Sequence, residues 1–180
     1  MSDRMKIKMV QALVGAVTLT LLMMIFSFTG YAQYTWMLFF PMVLFFALGA
    51  DVKKLPSMIV CYICGVAWAY VNGFIEKLFP EPLNHIIPSI IVIFLVLTIH
   101  EGFLIKTVFG NVPALFLGMA TTFFVVFMQV DITPIHLICF YLYGIVLTMA
   151  LVFVGMGVCS AIFGKERAFK AIVGEPEEKK

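Results

Sequence analysis

Six long apolar runs, each closed by glycine, proline or charge, set the solvent in which this 180-residue chain folds. They lie at 9–28, 34–50, 56–75, 86–100, 108–130 and 134–163. A helix needs about 20 apolar residues to cross the roughly 30 Å hydrocarbon layer, so runs of this length read as spans. The run 34–50 is short for an upright crossing, and 134–163 is long enough to tilt or to continue past the bilayer. Backbone groups in lipid must be satisfied internally, and continuous apolar runs without two-residue alternation point to helices rather than strands. The expected fold class is therefore all-α: a polytopic integral membrane protein with six transmembrane helices within residues 1–164. Turn signals separate the runs at Gly30, at 51–56, at Pro80-Glu81-Pro82, at Gly102 and Gly110, and at 131–134.

With 63% hydrophobic and 12% charged residues, the chain has no stretch from which a soluble catalytic module could be built. Its basic residues are spread thinly, which excludes a nucleic-acid surface. Arg4, Lys6 and Lys8 before the first run and Gly30-Tyr31-Ala32 after it mimic a secretory signal. An h-region is roughly 7–15 residues, however, and 9–28 is longer, so it is read as the first span.

Loop cations give the orientation, since Lys and Arg collect on the cytoplasmic side. Under six spans Arg4, Lys6, Lys8, Lys53, Lys54, Lys106, Lys165, Arg167, Lys170, Lys179 and Lys180 share one side, and Lys77 alone faces the other. Both termini are then cytoplasmic, with 165–180 as a charged cytoplasmic tail expected to be partly disordered.

The chain also carries a weak internal repeat. Leu38-Phe39-Phe40-Pro41-Met42, followed by Phe46, aligns with Leu115-Phe116-Leu117-Gly118-Met119, followed by Phe123. Cys61-Tyr62-Ile63-Cys64-Gly65-Val66 then aligns with Phe140-Tyr141-Leu142-Tyr143-Gly144-Ile145. The halves, about 9–75 and 86–163, hold three spans each, and an odd number makes the second enter from the opposite side. That is an inverted 3+3 repeat about a pseudo-twofold axis in the membrane plane. Three segments of these halves carry a resemblance: 36–47, ending in Phe45-Phe46-Ala47; Gly65-Val66-Ala67-Trp68-Ala69; and 114–123, which reads Ala-Leu-Phe-Leu-Gly-Met-Ala-Thr-Thr-Phe. Through them the chain resembles the YcdZ-like family of small bacterial inner-membrane proteins, a domain of unknown function. The resemblance implies a multi-pass protein of the bacterial inner membrane with a duplicated core and no catalytic residues to carry over. The charged tail and the loop between the halves depart from that family's pattern.

Charge within a span is costly and usually functional, and here none lies mid-span. Asp51 and Asp131 close helix ends, Glu76 and Glu81 sit in a loop, and His100-Glu101 reads as an interfacial pair ending the fourth span, with a proton relay as the alternative. His136 beside Asp131 is read in the same way. Cys61, Cys64, Cys139 and Cys159 lack the closed ligand set that zinc requires, so packing thiols are expected and neither metal nor cofactor. Gly65, Gly144, Gly155 and Gly157 read as close-packing positions between helices.

The polar groups inside the spans are neutral. Asn72, Asn111, Thr121, Thr122, Tyr62 and Tyr141 are the candidate lining of a path, and Phe39 with Pro41 and Phe116 with Gly118, equivalent under the repeat, are candidate constrictions. Pro41 removes a helical hydrogen bond and Gly118 permits close approach or a bend, so irregular helices are expected at both. Tyr34, Trp36 and Tyr70 read as interfacial anchors. These features point to a channel or facilitator for a small neutral solute. The alternative is a non-transporting scaffold or assembly subunit. No nucleophile, base and acid occur together as an enzyme requires. The expected partners are the lipid bilayer, a small neutral solute and further copies of the chain, because six helices leave little room for a pore in one protomer.

Overall fold

The computed structural model describes residues 3–173; the end of the expected tail, including Lys179 and Lys180, lies outside the described residues. Each apolar run is helical, and the described residues contain no strand. Helix α1 is Asp3–Ser27. A 3₁₀ segment, Ala32–Leu38, leads into α2, Phe39–Ala47. Helix α3 is Leu55–Glu76, α4 is Ile86–Val96 continued by a π-helical turn over Leu97–Phe103, and α5 is Val112–Phe127. Helix α6 runs over Pro134–Phe163 and α7 over Lys165–Val173.

Among the described residues, four stretches are long and apolar enough to cross a membrane: Asp3–Ser27, Val52–Glu76, Ile86–Phe103 and Pro134–Phe163. The other two apolar helices, Ala32–Ala47 and Val112–Phe127, are shorter.

Local chemistry sets the helix ends. The Asp51 carboxylate accepts from Lys53 N at 2.9 Å and starts the 3₁₀ turn ahead of α3, whose second residue is Pro56. Asn111 Oδ1 accepts from Ala114 N at 3.2 Å and caps α5, with Pro113 in its first turn, where the missing N–H costs nothing. Gly49 and Gly164 take the left-handed conformation after α2 and α6, with φ of 85° and 86°.

The described residues form two compact units, 3–38 with 145–173, and Phe39–Gly144. In the first, α1 runs antiparallel to the end of α6. Gln11 lies against Gly155 and Leu151 against Gly15, both at 3.5 Å from where a Cβ would stand. The charged segment expected as a tail opens with α7, whose Ala168 and Ala171 pack in a buried cluster with Ile7 and Cys159. The second unit is built on α3 and α5, and α4 packs on α3.

Two expectations change. Gly118 does not interrupt α5, which is α-helical from Val112 to Phe127; of the two uses expected of this glycine, close approach is the one it serves. Pro41 does not interrupt α2 either, because it falls in the first turn after the 3₁₀ segment, where no intrahelical partner for its nitrogen is needed.

Candidate functional site

The second unit is organised by two glycines that let α3 and α5 touch through their backbones. A Cβ on Gly65 would collide with the Leu115 carbonyl, and a Cβ on Gly118 would collide with the Tyr62 carbonyl. The contact is reciprocal, each helix presenting a glycine to the other's backbone, as expected where close packing replaces the hydrophobic drive that lipid does not supply. Gly157, by contrast, has none of the described residues within 4 Å of where a Cβ would stand and faces open space.

This crossing brings polar side chains together in a dry place. Tyr62 Oη and Thr121 Oγ1 lie 2.9 Å apart, and Thr121 also reaches back to the Leu117 and Gly118 carbonyls at 3.0 and 3.1 Å. Thr122 is held by the Gly118 carbonyl at 2.8 Å. The Tyr62 ring stacks on Tyr141 of α6, with centroids 3.8 Å apart and planes 9° from parallel. Both tyrosines are 3% exposed, yet Tyr141 Oη has no hydrogen-bond partner among the described residues. A buried hydroxyl without a partner costs about 1–3 kcal/mol, so its retention calls for a reason.

Farther along the same helices, a cavity of about 150 Å³ lies between α3, α4 and α5, lined by Asn72, Ser89, Ile93, Phe116, Met119 and Phe123 among others. It adjoins a second space of about 230 Å³ reached by Glu76, His85 and Phe127. Asn72, 2% exposed, donates to Glu76 Oε1 at 2.8 Å, and Glu76 lies 3.8 Å from His85 Nδ1. The cavity walls are mostly apolar, with Asn72 and Ser89 as their polar side chains.

A third polar feature ties α3 to α4. His100 is buried within the π-turn, accepts from Trp68 Nε1 through Nε2 at 3.1 Å, and lies 2.8 Å from the Phe109 carbonyl through Nδ1. An indole N–H only donates, so Nε2 must be the bare nitrogen and Nδ1 the protonated one. His100 is therefore a neutral crosslink, while Glu101 is exposed. The pair lies in the last turn of that helix, as expected of residues ending the fourth span; what the expectation did not include is the i→i+5 turn, seen in the 2.9 Å bond from Leu104 N to Ile99 O, which goes with an imidazole turned inward. His136 pairs with Thr133 at 2.9 Å at the start of α6.

Of the candidate lining residues, Tyr62, Tyr141 and Thr121 form one cluster, with Thr122 and Gly118 at its base, and Asn72 and Phe116 line one cavity. Asn111 is elsewhere. Besides capping α5 it donates its backbone N–H to Cys61 Sγ at 3.2 Å, and its side chain donates to Ser57 at 3.3 Å. Pro41 is buried in α2, and Phe39, half-buried at the start of that helix, does not line the cavity that Phe116 lines. Sequence reasoning missed Trp68, Ser89 and His85. For Trp68 the signal was a tryptophan in the middle of an apolar run, where its N–H needs a partner. Among the described residues, no group of three or more His, Cys, Asp or Glu is placed to hold a metal ion.

The family described as "Protein of unknown function (DUF1097)" matches residues 9–165, and the chain belongs to it. No curated protein and no solved structure matches the chain.

Proposed function

We propose that this member of an uncharacterised family is a six-span channel or facilitator for a small neutral, hydrogen-bonding solute, built from two inverted halves and acting without catalysis. The observation that carries the reading is the Tyr62–Tyr141 stack beside a buried hydroxyl with no partner among the described residues. The two tyrosines are equivalent in the internal alignment, and Tyr62 follows Leu55, the start of α3, by the same interval as Tyr141 follows Pro134, the start of α6. Residues on a twofold axis meet their own equivalents, so this contact supports a pseudo-twofold axis between α3 and α6. An axis in the membrane plane would put both hydroxyls near the midplane, where a passing solute has lost its water. Tyr141 Oη is then free to take over a hydrogen bond.

Six crossings are consistent with the helix lengths. Seven residues of 3₁₀ helix at about 2.0 Å each and nine of α-helix at about 1.5 Å carry Ala32–Ala47 some 27 Å. The sixteen residues of α5 cover about 24 Å, a shortfall that local thinning accommodates at modest cost. The cation distribution supports cytoplasmic termini. The likeness to YcdZ-like proteins supports placement in a bacterial inner membrane. Assembly into a homo-oligomer belongs to the same proposal.

Stopped-flow light scattering on proteoliposomes challenged with urea, glycerol, formamide and ammonia, with conductance in salt measured alongside, tests the reading. Flux of a neutral solute that falls in Tyr141→Phe, with folding unchanged, is the expected result. Because that hydroxyl has no partner to lose, the substitution separates function from stability. A selective ionic current without neutral flux would reject the proposal, and no flux of any solute would leave the non-transporting scaffold.

A further inference from the structure

A cleft of about 480 Å³ lies where α7 folds back on the start of α1, lined by Asp3, Arg4, Ile7, Arg167, Lys170 and Ala171. Three of those side chains are cations and one is a carboxylate. Asp3 is itself 3.8 Å from Lys6 Nζ, so the cleft holds a net surplus of positive charge. Its floor is apolar and closed by the buried Ile7, Ala168, Ala171 and Cys159 cluster. The left-handed Gly164, at φ 86°, turns the chain between α6 and α7 so that the short helix lies against α1 instead of extending α6.

Helix α7 is amphipathic. Ala168 and Ala171 face inward and Ile172 packs against their cluster, while Lys165, Glu166, Arg167 and Lys170 are exposed, and Phe169 is 53% exposed on a helix that is otherwise charged on its outer side. An aromatic ring beside basic residues on a helix of this kind is the pattern of a segment lying in the headgroup layer. The cleft opens at the start of α1, whose Met9, Leu13, Val17 and Leu21 are all more than half exposed at four-residue spacing and need acyl chains against them. An anion there whose hydrophobic part continues along α1 satisfies both surfaces.

We propose that this cleft is a site for the phosphate headgroup of an anionic phospholipid, with Arg4, Arg167 and Lys170 as its ligands and Phe169 as a neighbouring interfacial anchor. The proposal rests on the membrane reading above, but not on transport. Basic clefts beside the cytoplasmic ends of spans bind such headgroups, and each cation near an anionic surface contributes about fivefold to affinity.

The test uses the full chain in nanodiscs of zwitterionic phosphatidylcholine containing a minor share of phosphatidylglycerol, with lipid retained after mild detergent extraction counted by native mass spectrometry. The Arg4→Gln, Arg167→Gln, Lys170→Gln variant is compared with Lys8→Gln, Lys53→Gln, Lys165→Gln, which removes the same charge at residues that neither line the cleft nor pair with Asp3. Expected is retention of phosphatidylglycerol by the unaltered chain and by the second variant, and a loss at least about tenfold greater in the first. Equal losses in both variants would overturn the site, leaving only a diffuse basic surface. Displacement of the lipid by millimolar inorganic phosphate with the same residue dependence would also overturn it, assigning the cleft to free phosphate. Neither outcome depends on solute flux, so failure here and failure of the channel reading are separately visible.

Discussion

Replacing Gly65 by alanine adds one methyl group where α3 meets α5 and has a consequence that can be worked from the contact itself. The new Cβ would meet the carbonyl oxygen and carbon of Leu115 and approach Met119 N to 3.0 Å, and all three are backbone atoms that no rotamer change can move aside. The helices must part by on the order of 1 Å, a gap that forfeits a quarter to a half of the dispersion along the seam. Overpacking of this kind costs about 1–3 kcal/mol, and the 2.9 Å Tyr62–Thr121 bond across the same seam is worth about 1 kcal/mol more. Alanine returns about 0.5–1 kcal/mol of helix propensity. The net expectation is a loss of about 2 kcal/mol or more, roughly thirtyfold in the folding equilibrium. Gly157→Ala is the control, since no described residue lies within 4 Å of its Cβ position, and there only the propensity gain remains. Unfolding of purified protein in mixed micelles with increasing SDS, followed through Trp36 and Trp68 fluorescence, gives both values. Equal midpoints for the two variants would refute the reasoning, because the close crossing would then contribute nothing.

Gly118→Ala meets the Tyr62 carbonyl across the same seam, so it should match Gly65→Ala, and the double variant should cost clearly less than the two added, as a double-mutant cycle in the same micelles would read. Trp68→Phe leaves His100 Nε2 buried without its donor and should destabilise by about 1–3 kcal/mol in that titration; an unchanged midpoint would remove the crosslink. Single cysteines in a chain freed of its native four should react with an external impermeant maleimide at position 77 and not at 53 or 106; labelling at 53 or 106 in intact cells would remove the inverted arrangement. Phe116→Ala enlarges the cavity beside Asn72 and should raise solute flux, while Phe39→Ala, which lies outside that cavity, should raise it less; equal rises would restore the paired constriction.

The sequence by itself determined the helical class and the place of every apolar helix, because segments that must satisfy their backbone without water have few solutions and glycine, proline and charge mark where they stop. It also pointed to Tyr62, Tyr141 and Thr121, since neutral hydrogen-bonding side chains are conspicuous in apolar runs. What only the tertiary structure decided is which of these groups meet. His100 looked like the end of a helix, and one π-turn makes it a buried crosslink to Trp68, thirty-two residues away in sequence. Gly65, Gly118 and Gly157 are the same residue type on helices, yet two let backbones touch and the third faces open space. Asn111 and Asn72 read alike as path-lining amides, and one caps a helix while the other borders a cavity. Helical phase and the pairing of helices distinguish such cases, and neither is written in hydropathy, because in a lipid solvent an apolar residue is equally at home facing a neighbouring helix or the bilayer.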